Sequence, residues 1–440
     1  MDTLAQLRAG HLAGSRRLDL NCGLSEFPRE IFELADTLEV LNLTGNALSS
    51  LPEDLGRLRQ LRVLFCSDNR FEELPASIGQ CRQLDILGFK ANRIRQVPAA
   101  ALPPSLRWLI LTDNQIEALP ETLGNCRNLQ KLMLAGNRLQ ALPASLAQCE
   151  RLELLRISAN RLTALPNGLL SLPRLAWLAF ADNPLGERPA GASEALPEVP
   201  WADLCPQDVL GEGASGVIQR ALWRDGESSP RPVAIKLFKG QMTSDGSPQA
   251  EMAACLAAGS HPRLIGALGR IGDHPEGRAG LLMPLIDPLF QPLAGPPSLE
   301  SCTRDCYAES LVLPAAVAVR LALGVARAAA HLHGRGLLHG DLYAHNILWD
   351  GQGDSLLGDF GAASFYPAAT DGAMLERLEV RAFGILLGEL LARCVLDADL
   401  SPQFDAWRVL QAACCQADAG ARPVFAHCIE VLEVLGGALP

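Results

Sequence analysis

Gly211, Gly213 and Gly216, followed by Val217, form a G-x-G-x-x-G run within DVLGEGASGVIQRA. Glycines at this spacing let a backbone turn approach a bound phosphate, but similar turns also open dinucleotide folds, so the run alone does not choose a chemistry. Twenty residues past Gly216, the strand-like run PVAIKLF presents Lys236. Lysine is scarce in this chain: of 38 basic residues four are lysine, at 90, 131, 236 and 239, and the rest are arginine. A composition so biased should use arginine wherever any cation suffices. A compact ammonium at 236 therefore marks a role that a planar guanidinium fills poorly, such as reaching two phosphates. Cys302 and Cys306 have a spacing that could hold a metal, but no second pair accompanies them and no metal site is read there.

The elements around Lys236 sharpen the reading. Val233, Ala234, Ile235 and Lys236 lie on the strand, and Glu251 follows in PQAEMAACLAAG, whose alanine-rich composition predicts a helix. Then come GLLMPLI, LLHGDLYAHNILWD, GDFG, the apolar EVRAFGILLGELL and ARPVF with Arg422. In this order the second half resembles the protein kinase family. The resemblance implies an ATP site from Leu210, Gly211, Gly213, Gly216, Val217, Ala234, Lys236 and Glu251. It implies a gatekeeper at Met283 and a hinge where adenine bonds the Pro284 carbonyl and the Ile286 N–H. It also implies that Asp341 orients the attacking hydroxyl, with Asn346 and Asp359 holding Mg2+, a cation that prefers oxygen ligands.

The pattern has departures. Gly340 stands where many kinases carry arginine, and Tyr343 where Ser/Thr kinases typically carry lysine. Only 20 residues separate Asp359 from Glu379, with no A-P-E motif. Three functions follow: an active protein kinase, expected to be of Ser/Thr type; a pseudokinase scaffold that binds nucleotide; or a small-molecule phosphotransferase, since HGDL and HNIL also resemble those enzymes. With no side chain at 340 to meet a phosphate, activity is expected not to depend on phosphorylation of Ser364, Tyr366 or Thr370.

The first half is periodic. Asparagines at 46, 69, 92, 114, 137, 160 and 183 each close a segment such as LEVLNLTGN or LQKLMLAGN, and a degenerate unit, RRLDLNCGL, precedes them. Seven in-phase copies resemble the leucine-rich repeat family. No single unit can bury its leucines, so stacking into a parallel sheet is required. The outward files then carry Phe65, Trp108, Ile110, Met133 and Trp177, an apolar concave patch expected to bind a protein substrate or regulator. Cys81, Cys126 and Cys149 recur in equivalent places and read as packing positions.

The expected fold is an α/β leucine-rich-repeat solenoid followed by an α+β bilobal kinase-like domain. Residues 1–185 form the solenoid, 186–200 a linker or cap, and 201–440 the kinase domain, with an N-lobe over about 201–284 and a C-lobe over about 285–440. The chain has 440 residues, 48% hydrophobic and 20% charged, which suits buried cores. Net charge is −11, concentrated in the second half, which argues against nucleic acid as the partner. The apolar stretch from Leu311 to His333 is interrupted by Arg320 and Arg327 and reads as a buried helix, so no transmembrane segment is expected. The thirteen cysteines without an export signal point to a cytoplasmic protein. The arginine bias suggests a GC-rich, bacterial genome.

Overall fold

A computed structural model describes residues 3–186, 196–213, 215–226, 229–240, 242–366, 372–395 and 401–439. The chain divides into two compact units. One comprises Met1–Leu175 with Asn183–Leu185, the other Ala176–Asp182 with Gly186–Pro440.

The repeats fold as their period requires. Three-residue strands β1 (Arg17–Asp19), β2 (Val40–Asn42), β3 (Val63–Phe65), β4 (Ile86–Gly88), β5 (Trp108–Ile110), β6 (Lys131–Met133), β7 (Leu154–Arg156) and β8 (Trp177–Ala179) follow one another in a parallel sheet in chain order. The central leucines Leu41, Leu64, Leu87, Leu109, Leu132 and Leu155 are fully buried. Each closing asparagine ties two repeats. The Asn69 amide donates to the Leu43 carbonyl at 2.9 Å while its oxygen accepts from the Leu48 N–H at 2.9 Å, and Asn137 and Asn160 repeat the pattern. The residue before each of the seven asparagines has positive φ: Gly45 and Gly136 do so without strain, whereas Asp68, Ala91, Asp113, Ala159 and Asp182 adopt it as non-glycine residues. The return path is made of short 3-10 turns, not α-helices. The Cys81, Cys126 and Cys149 thiols point at backbone carbonyls of the preceding repeat, and burial pushes them up to about 11, 12 and 11.

On the outward files Phe65, Trp108, Ile110 and Met133 are half-buried. The Trp108 indole N–H reaches the Met133 sulfur at 3.2 Å, and the Lys131 ammonium lies 4.5 Å from the Trp108 ring centre. Trp177 departs from the expected patch. It is 1% exposed, and its segment, Ala176–Asp182, belongs to the second unit.

The second unit begins with a six-stranded sheet, ordered β10 (Leu204–Glu212), β11 (Gly216–Trp223), β12 (Arg231–Phe238), β14 (Gly280–Pro284), β13 (Gly269–Gly272), β9 (Glu198–Pro200). Strand β9 lies in the stretch read as a linker; it pairs parallel with β13 and buries Val199. Alternation along β12 sends Val233, Ile235 and Leu237 into the core with Ala221, Ile271 and Leu282, and turns Ala234 and Lys236 to the opposite face. Helix α2 (Pro248–Ala258) starts at Ser247, whose hydroxyl accepts from the Ala250 N–H, with proline at the first turn.

Helices α3 (Ala315–Gly334), α4 (Gly372–Leu391), α5 (Ser401–Cys414) and α6 (Phe425–Gly437) build the remainder. Among the described residues α3 is long and apolar enough to cross a membrane by length and composition, and over half of it is buried inside the unit. The strands β15 (Gln291–Pro292), β17 (Ile347–Trp349) and β18 (Ser355–Leu357) form one small sheet; β16 (Leu337–Leu338) and β19 (Ser364–Phe365) form another. Both flank the segments that carry the acidic residues.

Candidate active site

Two adjoining cavities meet at the glycine hairpin. The first, about 170 Å³, is lined by Gly213, Gly216, Lys236, Glu251 and Asp359, with Thr243 and Asp245 also contributing. A side chain at 216 would meet the Leu237 carbonyl at 2.6 Å, so β11 can lie this close to β12 only with glycine there. Lys236 and Glu251 form a buried ion pair. Burial opposes the charge on Lys236, but the Glu251 and Asp359 carboxylates outweigh it and hold the pKa above its ordinary value. The second cavity, about 530 Å³, is lined by Leu210, Ala234, Met283, Pro284 and Ile286, and its wall is mostly apolar. It suits a flat heteroaromatic ring, and the first suits polyanionic phosphates.

One expected wall residue is displaced. Ile218, not Val217, lines both cavities. Val217 pairs with Glu212 and Leu237 on β11 and faces the other side, because successive strand residues alternate. Gly211 pairs with Ile218 in the hairpin without lining either cavity.

The acidic residues are brought together by backbone ties. The Asn346 amide donates to the Asp341 carbonyl at 2.9 Å and to its carboxylate at 2.8 Å, and the Asn346 carbonyl accepts from the Gly358 N–H at 3.0 Å, next to Asp359. His339 Nδ1 accepts from the Asp341 N–H, so its Nε2 carries the proton donated to the Gly358 carbonyl at 2.9 Å. Asp359 has φ of +58° and accepts from the Gly361 N–H.

Sequence reading missed the residues that hold this loop from behind. Glu379, on α4, is fully buried; its carboxylate accepts from the Gly340 N–H at 2.7 Å and the His339 N–H at 3.3 Å and bonds His333 Nε2 at 2.8 Å. Burial resists its charge, yet those partners keep its pKa below the usual carboxylate value. Asp305 accepts from the His345 backbone N–H and ring Nδ1, at 3.1 and 2.7 Å. The His345 pKa is raised: burial works against it, and Asp305, Asp341 and Asp359 prevail. Arg422 is buried, donating to the Gln416 carbonyl at 2.8 Å and to the Arg377 carbonyl. Cys302 is buried and Cys306 exposed, and no metal cluster of three or more His, Cys, Asp or Glu occurs among the described residues. Ser364 and Tyr366 are buried, and Thr370 lies outside the described residues.

Known protein families match both halves of the chain. Residues 204–381 match the family described as protein tyrosine and serine/threonine kinase, and residues 37–58 and 127–185 match leucine-rich repeat families. The chain carries leucine-rich repeats N-terminal to a protein kinase domain. Within 155 aligned residues it is 34% identical to the DNA damage-responsive serine/threonine-protein kinase RqkA of Deinococcus radiodurans, covering 35% of this chain and 21% of that one. It is 32% identical over 181 residues to CBL-interacting protein kinase 22 of rice, covering 37% and 38%. A leucine-rich repeat protein of Leptospira interrogans is 32% identical, with a TM-score of 0.38, over 40% of this chain and 46% of that one. The chain thus spans well under half the length of these kinases.

Proposed function

We propose that this leucine-rich repeat kinase is an ATP- and magnesium-dependent protein kinase of Ser/Thr type, whose repeats recruit a protein partner or substrate in the cytoplasm. The observation that carries the reading is the set Lys236, Glu251 and Asp359 around one cavity, with Asp341 and Asn346 hydrogen-bonded beside Asp359. A nucleotide would lay its base against Ala234, Met283 and Ile286 and its phosphates toward Lys236 and the glycine hairpin. Asp341 would orient the acceptor hydroxyl and take its proton as the oxygen–phosphorus bond forms and the bond to the β-phosphate oxygen breaks, releasing ADP.

The donor set suits Mg2+. Asp359 offers carboxylate oxygen, and Asn346, whose amide nitrogen donates to Asp341, would offer its amide oxygen. Magnesium held there would offset phosphate charge, which matters more than usual because position 343 is tyrosine. A reducing compartment suits the free cysteines.

The test is incubation with labelled ATP and Mg2+, with label sought on protein and on small acceptors. Wild type should label protein on serine or threonine. Lys236→Met and Asp341→Ala should each lower transfer by about 10²- to 10⁴-fold while the fold is retained. Transfer at wild-type rate in Asp341→Ala would overturn the catalytic assignment. Label on a small acceptor alone would favour a small-molecule phosphotransferase, and nucleotide binding without transfer a scaffold.

A further inference from the structure

Gly340 and Tyr343, the two departures in the catalytic loop, meet the same short segment, Ala176–Asp182. The Trp177 indole lies flat on the Tyr343 ring, with centroids 4.1 Å apart and planes 7° apart, and its N–H donates to the Leu342 carbonyl at 3.0 Å. Both rings are almost fully buried. The Leu178 carbonyl stands 2.6 Å from where a Cβ on Gly340 would be, and Gly340 has φ of +74°. The Phe180 N–H donates to the Ser364 hydroxyl at 2.9 Å. Asp182 accepts from the hydroxyl of Ser247, the residue that caps the helix bearing Glu251.

Seven residues thus touch three parts whose alignment phosphoryl transfer demands: the catalytic loop, the segment after Asp359 and the start of α2. Among the described residues, the hydroxyls that could otherwise tie the middle part through a phosphate are committed. Ser364 is occupied by Phe180 and the Ala362 carbonyl, and the Tyr366 hydroxyl bonds His333 Nδ1 at 2.7 Å.

We propose that Ala176–Asp182 is a built-in latch that holds the catalytic loop (residues 339–346), residues 359–366 and α2 in register, with Trp177 as its positioning residue. The latch rests on the kinase reading above. With the segment seated, the Lys236–Glu251 pair and the Asp341–Asn346 bonds are both made, so the contact accompanies an assembled site. An inhibitory cover would be expected to accompany a broken one. Trp177 lines neither nucleotide cavity and meets the catalytic loop, whereas the tie to α2 is made by Asp182, so the effect of losing Trp177 should fall on turnover and leave nucleotide affinity alone.

The test uses the full chain. Trp177→Ala removes the stack and the N–H donor and should lower kcat by about 10- to 100-fold with the dissociation constant for ATP unchanged. Trp177→Phe keeps a ring on Tyr343 and should recover a large part of that loss. Asp182→Asn, which tolerates the same backbone conformation, should lower kcat a few-fold and serves if Trp177→Ala does not fold. Unchanged kcat in Trp177→Ala, raised kcat, or a loss of ATP affinity in step with kcat would each overturn the latch. If wild type transfers no phosphate, the kinase reading fails by itself. Hydrogen exchange then decides the latch: faster exchange at residues 339–346 and 362–366 in Trp177→Ala supports it, and unchanged exchange overturns it.

Discussion

Replacing Glu379 should loosen the catalytic loop by an amount that the local bonds set. In the native protein this buried carboxylate satisfies two backbone donors, Gly340 N–H at 2.7 Å and His339 N–H at 3.3 Å, besides His333. Glu379→Ala leaves both donors without that acceptor inside the domain, at about 1–3 kcal/mol for each unsatisfied group. The longer His339 bond counts at the lower end, so the loop should lose roughly 2–4 kcal/mol. At about 1.4 kcal/mol per tenfold, the Gly340 amide should exchange with solvent roughly 30- to 700-fold faster, provided exchange follows local opening. Glu379→Gln keeps one oxygen for Gly340 and turns an NH₂ toward the His339 N–H, so its effect should be intermediate. The pH dependence follows from the lowered pKa: the contribution is full above the ordinary carboxylate value of 4.5 and is lost as pH falls through the still lower folded value. Protection at Gly340, corrected for intrinsic exchange, should therefore stay level from pH 8 down to 5. The measurement is amide exchange resolved to residues 337–346. If Glu379→Ala changes protection there less than about threefold, a shift under 1 kcal/mol, the anchor is not what holds the loop.

The His345–Asp305 pair should act in the opposite direction with pH. Because the His345 pKa is raised, its stabilisation is full below the ordinary 6.5 and fades as pH climbs through the folded value, so the thermal unfolding temperature should fall over that window and Asp305→Asn should flatten the profile. On the repeats, Phe65→Glu with Trp108→Glu should lower phosphorylation of a protein partner at least several-fold while autophosphorylation stays level; equal loss of both would point to damage to the fold instead.

Much of this molecule was legible in its sequence, for two different reasons. The repeats were legible because each asparagine bonds the repeat before it, so an error of one residue would have broken seven ladders at once. Lys236, Glu251, Asp341, Asn346 and Asp359 were legible because their order along the chain is itself the signal. Placement at single-residue resolution was harder. The choice between Val217 and Ile218 depends on which face β11 turns inward, and the register against β10 shifts twice before the glycines are reached. A count along the sequence cannot see those bulges.

The supports of the site were hidden for a different reason. Glu379 and His333 lie 46 residues apart and Asp305 and His345 lie 40 apart, and each looks like an ordinary polar residue until folding buries it beside the loop. Trp177 shows the effect most fully. Its place in LAWLAFADN matches six other repeats, so periodicity assigns it to an outward file, and packing against Tyr343 reassigns it. The same contact changes the meaning of the two departures. Read alone, Gly340 and Tyr343 are an arginine and a lysine lost. In the fold, a left-handed glycine is what the approach of the Leu178 and Ala362 carbonyls demands, and an aromatic ring is what the Trp177 indole stacks on. Each residue suits a neighbour more than 150 positions earlier in the chain. They are therefore better understood as one linked change with Trp177 than as two separate losses, and the activity of the latch variants measures that linkage directly.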